Sequence, residues 1–575
     1  MNIFDRYKIK IEDLVITNSK QFNIDSKISF KGVIFEIPPQ EFNFDLSSNI
    51  ALVLAKKTKQ SPVKLANLIK DVILKDLNDF SEVIIAGPGF INFRFNLKTY
   101  QKLISEILKS NNKYGSSSKK KKKYNIEFVS ANPTGPMHIG HSRGAIYGDV
   151  LANLLKFIGN TVTKEYYIND YGNQVTNFTE SVFFRLREIK FNEKFVNKDN
   201  LYPGEYVIDI AKKILIDTPE INLDNFIKIF PILSEISLKY SMILIKDDLK
   251  SLGISHDNFV SEKFLVKKDL VAKTIKNLQD KKFVEEGYLN PPKGEDNKDW
   301  KKTKRLIFKS TLFGDDIDRS LQKNDGSWTY FANDIAYHAD KVSRNYNYLI
   351  NILGADHIGY IKRISAATSA LSDGKIVLVC RVCQLVKLFK NGQPYKMSKR
   401  AGDFISVREF LNEVDKDSVR FMMLNRSNDV ELDFDFDKVL EKTRENPVFY
   451  VQYAYARISS LFSAANIDTS KDLEIDENNF ELNSHELNLF RKILDWPKVI
   501  ETASIKFEPH RIPFYLYELA TLFHSYWSKG NENPKYKFIL NGKIKNKNTF
   551  LIIKLVAITI ENGMNILNVS LPTKM

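Results

Sequence analysis

Two short segments of the chain carry side chains suited to chemistry on a phosphate group. The first, the histidine segment, is His138-Ile139-Gly140-His141. Its two imidazoles lie one helical turn apart and can donate hydrogen bonds to phosphate oxygens, and Gly140 allows a ligand to approach the backbone closely. Two loop histidines with local hydrogen bonds would explain the same four residues. The histidine segment therefore needs its context before it predicts a nucleotide site.

The second, the lysine segment, is Lys396-Met397-Ser398-Lys399-Arg400, followed by Ala401-Gly402-Asp403. Three cations and a hydroxyl beside a glycine suit a triphosphate, because they can neutralise the charge that builds on a leaving pyrophosphate. Taken alone, the segment is explained more simply as an exposed basic loop. It begins 258 residues after His138, so only the fold can bring the two segments together.

The pattern around the histidine segment predicts the elements that would position it. Residues 124–130 read as a strand, 145–158 as a helix with one apolar face, and 161–170 as a second strand. A strand, loop, helix and strand in this order predict a parallel sheet and an α/β fold. The segment then lies in the loop entering the helix, where backbone N–H groups and the helix dipole favour an anion.

The rest of the chain is predicted to form further domains around this core. The predicted division is a small α+β domain over 1–111, a lysine-rich linker over 112–123, a catalytic domain over 124–437 and an all-α domain over 438–575. Residues 175–324 look like mostly helical insertions, and 375–386 like a buried strand. The run Lys119–Lys123 is explained by a solvated linker, with contact to a phosphate backbone as the alternative.

Composition excludes several classes of protein. The chain has 575 residues, of which 43% are hydrophobic and 27% charged, so a mainly disordered chain is excluded. Its net charge of +15 favours a polyanion partner, although lysine-rich coding is an alternative source. The two cysteines, Cys380 and Cys383, cannot form a disulfide framework and are expected to be packed strand residues. We expect a cytoplasmic protein without membrane contact, because Lys554 interrupts the most apolar stretch, 550–560.

The two segments in this order resemble the signature pair of class I aminoacyl-tRNA synthetases. The surrounding residues narrow the resemblance to the bacterial arginyl-tRNA synthetase family. The matching stretches follow the order of that family and lie at 86–93, 127–149, 166–174, 329–338, 354–360 and 446–458. With Lys399 present and Pro136-Met137 before His138, the chain resembles the standard version of the family. The implied fold is a Rossmann-type catalytic domain with an additional N-terminal domain and a helical anticodon-binding domain.

The resemblance implies a ligase that charges tRNA(Arg) with L-arginine through arginyl-adenylate, using ATP with Mg²⁺ and releasing AMP and pyrophosphate. It also implies arginine activation that requires bound tRNA, a monomer, and no structural metal. The site residues that it implies fall into four groups. They are His138, His141, Lys396 and Lys399 for catalysis; Gly140, Gly354, His357, Met397 and Ser398 for ATP; Ser130, Asn132, Glu262, Tyr330 and Asp334 for arginine; and Phe90, Asn92, Tyr453 and Met575 for tRNA.

The residue types agree with an arginine substrate. A planar guanidinium is best held by paired carboxylates in fork geometry, and Tyr330 and Asp334 are spaced to share one face of a helix. Simpler explanations stay open at this point. Tyr330 would also fit core packing, Glu262 a surface helix start, and Tyr453 an aromatic stripe inside the helical domain.

Three other functions are consistent with parts of the pattern. A related nucleotidyl transferase would not need a helical tail of this length. A non-catalytic tRNA-binding descendant is expected to lose histidines or lysines of the two segments, and all are present here. A class I synthetase for a neutral or acidic amino acid would not need both Glu262 and Asp334 in its pocket.

Overall fold

The computed structural model describes residues 2–117, 121–195, 198–288, 303–395, 405–468, 475, 479–540 and 543–575, apart from the side chains of Gln40 and Lys543. The chain divides into two compact units. Unit 1 consists of Met1–Lys119, Phe157–Gly159 and Glu441–Met575, and unit 2 of Lys120–Lys156 and Asn160–Leu440.

The α-helices of the described residues are numbered in chain order. They are α1 (Ile3–Thr17), α2 (Ile50–Thr58), α3 (Pro62–Asp76), α4 (Leu97–Ser110), α5 (Ile139–Phe157), α6 (Asn173–Phe191), α7 (Glu205–Asp217), α8 (Phe226–Ser251), α9 (Glu262–Lys267), α10 (Leu270–Asp280), α11 (Tyr330–Ser343), α12 (Ile361–Ser372), α13 (Val407–Glu413), α14 (Lys416–Met422), α15 (Phe436–Leu440), α16 (Pro447–Ala464), α17 (Ser484–Lys506), α18 (Arg511–Glu532) and α19 (Lys547–Leu567).

The strands are numbered in the same way. They are β1 (Phe35–Glu36), β2 (Leu46–Ser48), β3 (Phe80–Ala86), β4 (Phe90–Phe95), β5 (Lys123–Glu127), β6 (Thr161–Ile168), β7 (Asn258–Ser261), β8 (Val284–Gly287), β9 (Arg305–Phe308), β10 (Arg319–Ser320), β11 (Tyr348–Gly354), β12 (Val377–Cys383), β13 (Val386–Lys390), β14 (Gln393–Pro394), β15 (Leu432–Asp435), β16 (Ile539–Leu540) and β17 (Lys543–Ile544).

Unit 2 is built on a five-stranded parallel sheet in the order β12-β11-β5-β6-β7, which confirms the predicted α/β class. The carboxyl ends of β5, β6 and β11 are neighbours, since Glu127 pairs with both Glu165 and Asn351. Side chains at these ends therefore meet at one edge of the sheet. This edge carries most of the predicted site residues of unit 2.

The structure adds to one prediction about unit 2 and corrects another. The span 175–324, predicted to be mostly helical, contains α7 to α10 and most of α6, and also β7 of the main sheet and the antiparallel sheet β10-β9-β8. Such strands of two to four residues are too short to show periodicity. The strand predicted to be buried, β12, is instead the half-exposed edge of the sheet, where it pairs only with β11.

The turn that leads into the histidine segment also differs from the prediction. Strand β5 ends at Glu127, because Val129 and Ser130 adopt φ angles of +71° and +41°. Helix α5 begins at Ile139, six residues before the predicted start. The histidine segment therefore forms the entrance and first turn of the helix.

Unit 1 contains both ends of the chain. The N-terminal part is α+β, with an antiparallel sheet in the order β1-β2-β4-β3, and the C-terminal part is helical apart from the β16–β17 pair; both were predicted. A buried ion pair joins them, with Arg491 Nε 2.8 Å from Asp45 Oδ1. Helix α19 is long and apolar enough to cross a membrane, yet most of it is buried inside the protein, as expected for a packed helix.

Part of the predicted linker belongs to the core of unit 1. Tyr114 is 5% exposed and donates its hydroxyl to the carbonyl of Ile493 at 2.8 Å. The indole of Trp496 donates to the carbonyl of Tyr114 at 3.0 Å, directly beside Gly115. Residues 114 and 115, which fall inside the predicted lysine-rich linker over 112–123, therefore pack into unit 1. Of the lysine run, Lys121, Lys122 and Lys123 are exposed, and Lys119 and Lys120 lie outside the described residues.

Candidate active site

The two histidines of the histidine segment stack at the start of α5. Their ring centroids are 3.8 Å apart. The Nδ1 atom of His138 accepts the N–H of Gly140 at 3.1 Å, and the Nδ1 atom of His141 accepts the N–H of His138 at 3.4 Å. Because each Nδ1 is an acceptor, the proton of each neutral ring is on Nε2. Both histidines then present an N–H donor on the atom away from the backbone.

The electrostatics of the pair favour the neutral rings. Burial lowers the pKa of His138. Burial, together with the neighbouring His138, lowers the pKa of His141 to about 3. At neutral pH the pair therefore offers hydrogen bonds to an anion without adding positive charge.

The chain around His138 is held by hydrogen bonds from two distant segments. The N–H of Met137 donates to Asp248 Oδ2 at 2.9 Å, and burial raises the pKa of this carboxyl to about 6. The N–H of Ile139 donates to the carbonyl of Ile405 at 2.9 Å, and Val407 N donates to the carbonyl of Met137 at 2.9 Å. These bonds bring the residues that directly follow 396–404 to the histidine segment.

Residues 396–404 themselves lie outside the described part of the chain. The predicted positions Lys396, Met397, Ser398 and Lys399 are among them. Their predicted roles stay predictions, although the chain returns beside His138 at Ile405 and Ser406, where His138 and Ser406 form an antiparallel bridge.

The predicted ATP residues of β11 lie at the carboxyl end of that strand. Gly354 is the last residue of β11, and His357 follows in an exposed turn, with Nε2 3.3 Å from Asp356 Oδ2. A side chain at Gly354 would come within 2.5 Å of Asp356 Oδ1. Asp356 also acts on the pKa of His141, which it raises. The turn after β11 and the histidine segment therefore line one region.

Two carboxylates, those of Glu262 and Asp334, meet beside this region. Glu262, the first residue of α9, is 5% exposed and accepts a hydrogen bond from Asn333 Nδ2 at 3.0 Å. Asp334 on α11 is partly buried and accepts the hydroxyl of Tyr360. Among the described residues, neither carboxylate forms an ion pair. The surface position considered for Glu262 is excluded, since its side chain is buried.

Burial is the main cause of the unusual titration of both acids. It raises the pKa of Asp334 to about 7, and the charge of Glu262 acts in the same direction. It also raises the pKa of Glu262, with a further contribution from Asp170. Two acids that are costly to ionise and close together form a site that a cation would stabilise.

Tyr330 lies one turn before Asp334 on α11 and is 67% exposed. Core packing is therefore excluded for its ring. The ring borders a cleft of about 440 Å³, which is lined also by Asp170, Lys263, Trp328 and Asn333. Lys323 Nζ lies 5.7 Å from the centroid of this ring, so the ring already contacts a cation.

The remaining predicted arginine residues lie in the turn after β5. Ser130 donates its hydroxyl to Glu127 Oε1 at 3.1 Å and accepts the N–H of Tyr167 at 3.0 Å. Asn132 is exposed. Ser130 thus lies beside the carboxylate of Glu127, at the edge of the sheet that also carries Glu165 and Asn351.

Several polar residues at this edge were missed from the sequence. Glu127 forms an ion pair with the buried Lys341, which also donates to Asn351 Oδ1 at 3.1 Å. Although burial opposes it, hydrogen bonds and charge from Arg344, with a contribution from Lys341, hold the pKa of Glu165 at about 2. The sequence did contain a signal for them, namely charged residues inside otherwise apolar strands. Charged groups are rarely buried without a partner, so such residues predict an ion pair or a site.

The cysteine pair carries no sign of reactivity. Cys380 and Cys383 are free, and burial raises the pKa of each thiol to about 12. Both stay protonated at neutral pH. Within the described ranges, no group of three or more histidine, cysteine or acidic side chains is arranged to bind a metal ion.

Comparison with known proteins covers the whole chain. Family models match in three places: "Arginyl tRNA synthetase N terminal domain" at 10–95, "tRNA synthetases class I (R), catalytic domain" at 103–216, and "DALR anticodon binding domain" at 451–575. An arginine–tRNA ligase of Pelagibacter ubique is 50% identical over 577 residues, covering 100% of both chains. One of Rickettsia bellii is 42% identical over 588 residues, also with 100% of both chains covered.

The chain belongs to the arginyl-tRNA synthetase family. A solved structure has the same fold, the Thermus thermophilus arginyl-tRNA synthetase, with a TM-score of 0.69 at 18% identity over 98% of this chain and 99% of that one. Family membership agrees with the resemblance drawn from the histidine and lysine segments.

The predicted tRNA residues of the present chain lie in unit 1. Tyr453 on α16 is half-buried, with the guanidinium of Arg457 4.1 Å from its ring centroid and Phe449 stacked at 5.5 Å. Met575 is 54% exposed. Phe90 is half-buried at the start of β4. Asn92 is 3% exposed in the middle of that strand, so direct contact of its side chain with tRNA is not supported.

Proposed function

We propose that this protein is an arginine–tRNA ligase, which attaches L-arginine to tRNA(Arg) with ATP as the energy source. Membership of the family supports the reaction. The observation that carries the choice of amino acid is the pair Glu262 and Asp334. Two carboxylates that are removed from water without a basic partner are destabilised until a cation arrives.

In the first proposed step the carboxylate of arginine attacks the α-phosphorus of ATP. A new bond forms between a carboxylate oxygen and phosphorus, the bond to the bridging oxygen breaks, and pyrophosphate leaves. In the second step a hydroxyl of the terminal ribose of tRNA attacks the activated carbonyl, and AMP leaves. Neither step needs a side-chain nucleophile, so the protein acts by positioning and by stabilising charge.

The histidine segment is proposed to hold the phosphates. His138 and His141 each present an Nε2–H donor, and Gly140 leaves room for the phosphates near the helix entrance. Gly354 and His357 are proposed to contact the adenosine part. Lys396 and Lys399 are proposed to bind the pyrophosphate, and Met397 and Ser398 to contact ATP. ATP is proposed to bind together with Mg²⁺, which the phosphates rather than a protein cage would hold.

The arginine pocket is proposed to use three kinds of contact. Glu262 and Asp334 hold the guanidinium in a fork, Tyr330 covers one of its faces, and Ser130 with Asn132 binds the polar end of the amino acid. A neutral or acidic side chain would leave two carboxylates unpaired, which is costly in a partly buried site. Selection of arginine then follows from the charges of the pocket.

The proposed division of the work between domains follows the predicted boundaries. Residues 1–111 would contact the elbow of the tRNA, 124–437 would carry the chemistry, and 438–575 would bind the anticodon, with Tyr453 and Met575 as candidate contacts. We further propose that the protein acts in the cytoplasm as a monomer.

Aminoacylation of total tRNA tests the proposal. The purified protein is incubated with ATP, total tRNA and each amino acid in turn, and the charged tRNAs are protected from periodate and sequenced. We expect charging with arginine, and protection of tRNA(Arg) isoacceptors. Charging with another amino acid, or protection of another tRNA, would overturn the proposed function.

A further inference from the structure

The hydroxyl of Tyr167 is a buried polar group without a hydrogen-bond partner among the described residues. Tyr167 is the penultimate residue of β6 and is 5% exposed. Its hydroxyl makes no hydrogen bond to any of the described residues. Most buried hydroxyls are paired, because an unpaired one loses its bonds to water without replacement. An unpaired hydroxyl in this position therefore calls for an explanation.

The ring of Tyr167 lies between the two helices that carry the carboxylate pair. It stacks on Tyr337 of α11, with ring centroids 4.2 Å apart, and packs against Leu265 of α9. Tyr337 follows Asp334 by three residues, and Leu265 follows Glu262 by three. On a helix, residues three apart are neighbours on one face. The ring is thus one helical turn from each carboxylate.

The surroundings of the hydroxyl are acidic. Burial raises the pKa of Tyr167, and the carboxylates of Glu262, Asp334, Glu127 and Asp170 act in the same direction. The phenol therefore stays neutral, and its oxygen remains an acceptor. The backbone N–H of Tyr167 is fixed by Ser130 Oγ at 3.0 Å, so the residue also touches a predicted arginine contact.

We propose that Tyr167 determines specificity as a third contact to the substrate side chain, with its hydroxyl oxygen accepting one N–H of the guanidinium held by Glu262 and Asp334. The inference rests on the proposed function and adds a residue to it. A guanidinium has five N–H donors, of which two carboxylates in fork geometry take at most four. Tyr167 supplies an acceptor for the fifth, and the substrate supplies the missing partner of the hydroxyl.

The test is Tyr167→Phe, which keeps the ring and its stack on Tyr337 and removes only the hydroxyl. Initial rates of arginine-dependent ATP–pyrophosphate exchange with tRNA present give the KM for arginine and for ATP. We expect the arginine KM to rise about tenfold or more, as for loss of a hydrogen bond to a charged group, with the ATP KM changed less than about twofold. The midpoint of thermal unfolding without substrate should not fall.

Tyr337→Phe is the matched control, because it removes a hydroxyl from the other ring of the same stack. That hydroxyl donates to Glu165 Oε1 at 2.9 Å, so its loss should lower the unfolding midpoint and leave the arginine KM within about twofold, since a partnered hydroxyl is removed. We therefore expect Tyr167→Phe to change the arginine KM and not to lower the unfolding midpoint, and Tyr337→Phe to lower the unfolding midpoint and not change the arginine KM.

The outcomes separate this inference from the function on which it rests. An unchanged arginine KM in Tyr167→Phe, with a raised unfolding midpoint, would show that the hydroxyl only destabilises the fold. This result would overturn the inference and leave the proposed function intact. An equal rise in the KM for arginine and ATP would also overturn it. Absence of arginine-dependent exchange in the unaltered protein would overturn the proposed function, and the inference with it.

Discussion

In the proposed function, the choice of substrate depends on the side chains of Glu262 and Asp334. Glu262 is buried and accepts a hydrogen bond from Asn333, and Asp334 accepts one from Tyr360. Neither donor is a cation, so these hydrogen bonds do not neutralise the negative charge of either carboxylate. This arrangement is unusual for the interior of a protein, where buried acids are normally paired. It is explained by a cationic substrate that completes the site.

Replacing Asp334 by Asn should affect arginine far more than ATP. Asparagine keeps the shape and can still accept the hydroxyl of Tyr360, but one charge of the fork is lost. Loss of one partner of a partly buried charged pair costs about 2–3 kcal/mol, so we expect the arginine KM to rise about 100-fold. The ATP KM should change less than about twofold, since the charge lies in the amino-acid pocket.

Asp340→Asn is the matched control for Asp334→Asn. Asp340 is on the same helix and pairs with Arg344 at 3.0 Å near the surface. Its replacement should leave both KM values unchanged. Equal increases of the arginine and ATP KM in Asp334→Asn would remove Asp334 from the arginine pocket.

The arginine KM should also depend on pH through Asp334. Its pKa in the free protein is about 7, so the carboxyl is mostly ionised at pH 8 and mostly protonated at pH 6. A protonated acid attracts the guanidinium less, so the arginine KM should rise as pH falls across this range. The rise is at most about tenfold per pH unit for one group.

His141 should not contribute to this pH dependence. Burial holds the pKa of His141 at about 3, so this ring stays neutral from pH 6 to pH 8, and burial also lowers the pKa of His138. Measurement of the arginine KM at pH 6, 7 and 8 in Asp334→Asn gives the control. A pH dependence that persists in this variant would assign it to another group.

Sequence reasoning reached some of these residues and missed others for physical reasons. Asp334 and Tyr330 were named from the family resemblance; their spacing predicted a shared helix face, and the helix is present. Glu127 and Tyr167 were missed as site residues because alternation within a strand does not reveal which polar side chain meets a distant helix. Asn92 was named as a tRNA contact from the family resemblance, and its burial was not foreseen because it depends on the pairing of β4 with β2 and β3.

At the scale of elements, the start of α5 sets the geometry of the histidine segment. The ring of His138 folds back over Gly140, where a Cβ atom would lie 2.8 Å from His138 Cε1 and 2.9 Å from Nδ1. Contacts this short force the ring to move. The glycine is therefore required for the position of the histidine as well as for ligand access.

Gly140→Ala should reduce arginine-dependent exchange at least about tenfold, because displacing His138 by about 1 Å misplaces a phosphate donor. Gly144→Ala on the same helix is the control, since its Cβ would meet Ile352 at an ordinary 3.8 Å. Alanine is a better helix former than glycine, so the control should be as stable as the unaltered protein or slightly more.

Thermal unfolding of both variants separates a local effect from loss of the fold. We expect both to unfold near the midpoint of the unaltered protein, with exchange reduced in Gly140→Ala alone. Normal exchange in Gly140→Ala would show that the position of the His138 ring is unimportant for the reaction.

The order of elements was largely predictable, and their ends were less so. The strand–loop–helix–strand opening was identified, because long helices and strands have clear periodicity. The early end of β5 was not identified from the sequence, because it depends on positive φ angles at Val129 and Ser130. Valine and serine seldom adopt such angles. The meeting of Ile405 with Ile139 depends on the tertiary fold and leaves no local pattern.

At the scale of the whole molecule, unit 1 is assembled from the two ends of the chain. The N-terminal part is connected to α17 by buried contacts. Tyr114 forms hydrogen bonds with Ile493 and Trp496 of α17, and Asp45 forms an ion pair with Arg491 of the same helix. Composition suggested a flexible linker at Tyr114 and Gly115, because glycine, serine and lysine are typical of linkers. Contacts between residues almost 400 positions apart cannot be read from composition.

Gly115→Ala should destabilise unit 1. The residue has a φ angle of +96°, and a Cβ atom would lie 2.5 Å from Trp496 Nε1, which donates to the carbonyl of Tyr114. Backbone strain and the clash together should lower the free energy of unfolding by about 2 kcal/mol or more. Urea unfolding followed by tryptophan fluorescence measures the change.

Gly87→Ala is the control for backbone strain alone, since Gly87 has a φ angle of +51° and no atom within 4 Å of the added Cβ. It should be destabilised by about 1 kcal/mol, the cost of a left-handed conformation for a residue with a side chain. Equal stability of Gly115→Ala and the unaltered protein would contradict the packing described for residue 115.

The most direct test of the account is ATP–pyrophosphate exchange with a panel of amino acids, in the presence and absence of total tRNA. Arginine should be the amino acid that supports exchange, and, as the family resemblance implies, only when tRNA is present. Exchange with arginine alone would keep the substrate and remove the requirement for tRNA. Exchange with a different amino acid, or none with arginine under either condition, would contradict the central claim that the carboxylate pair selects arginine.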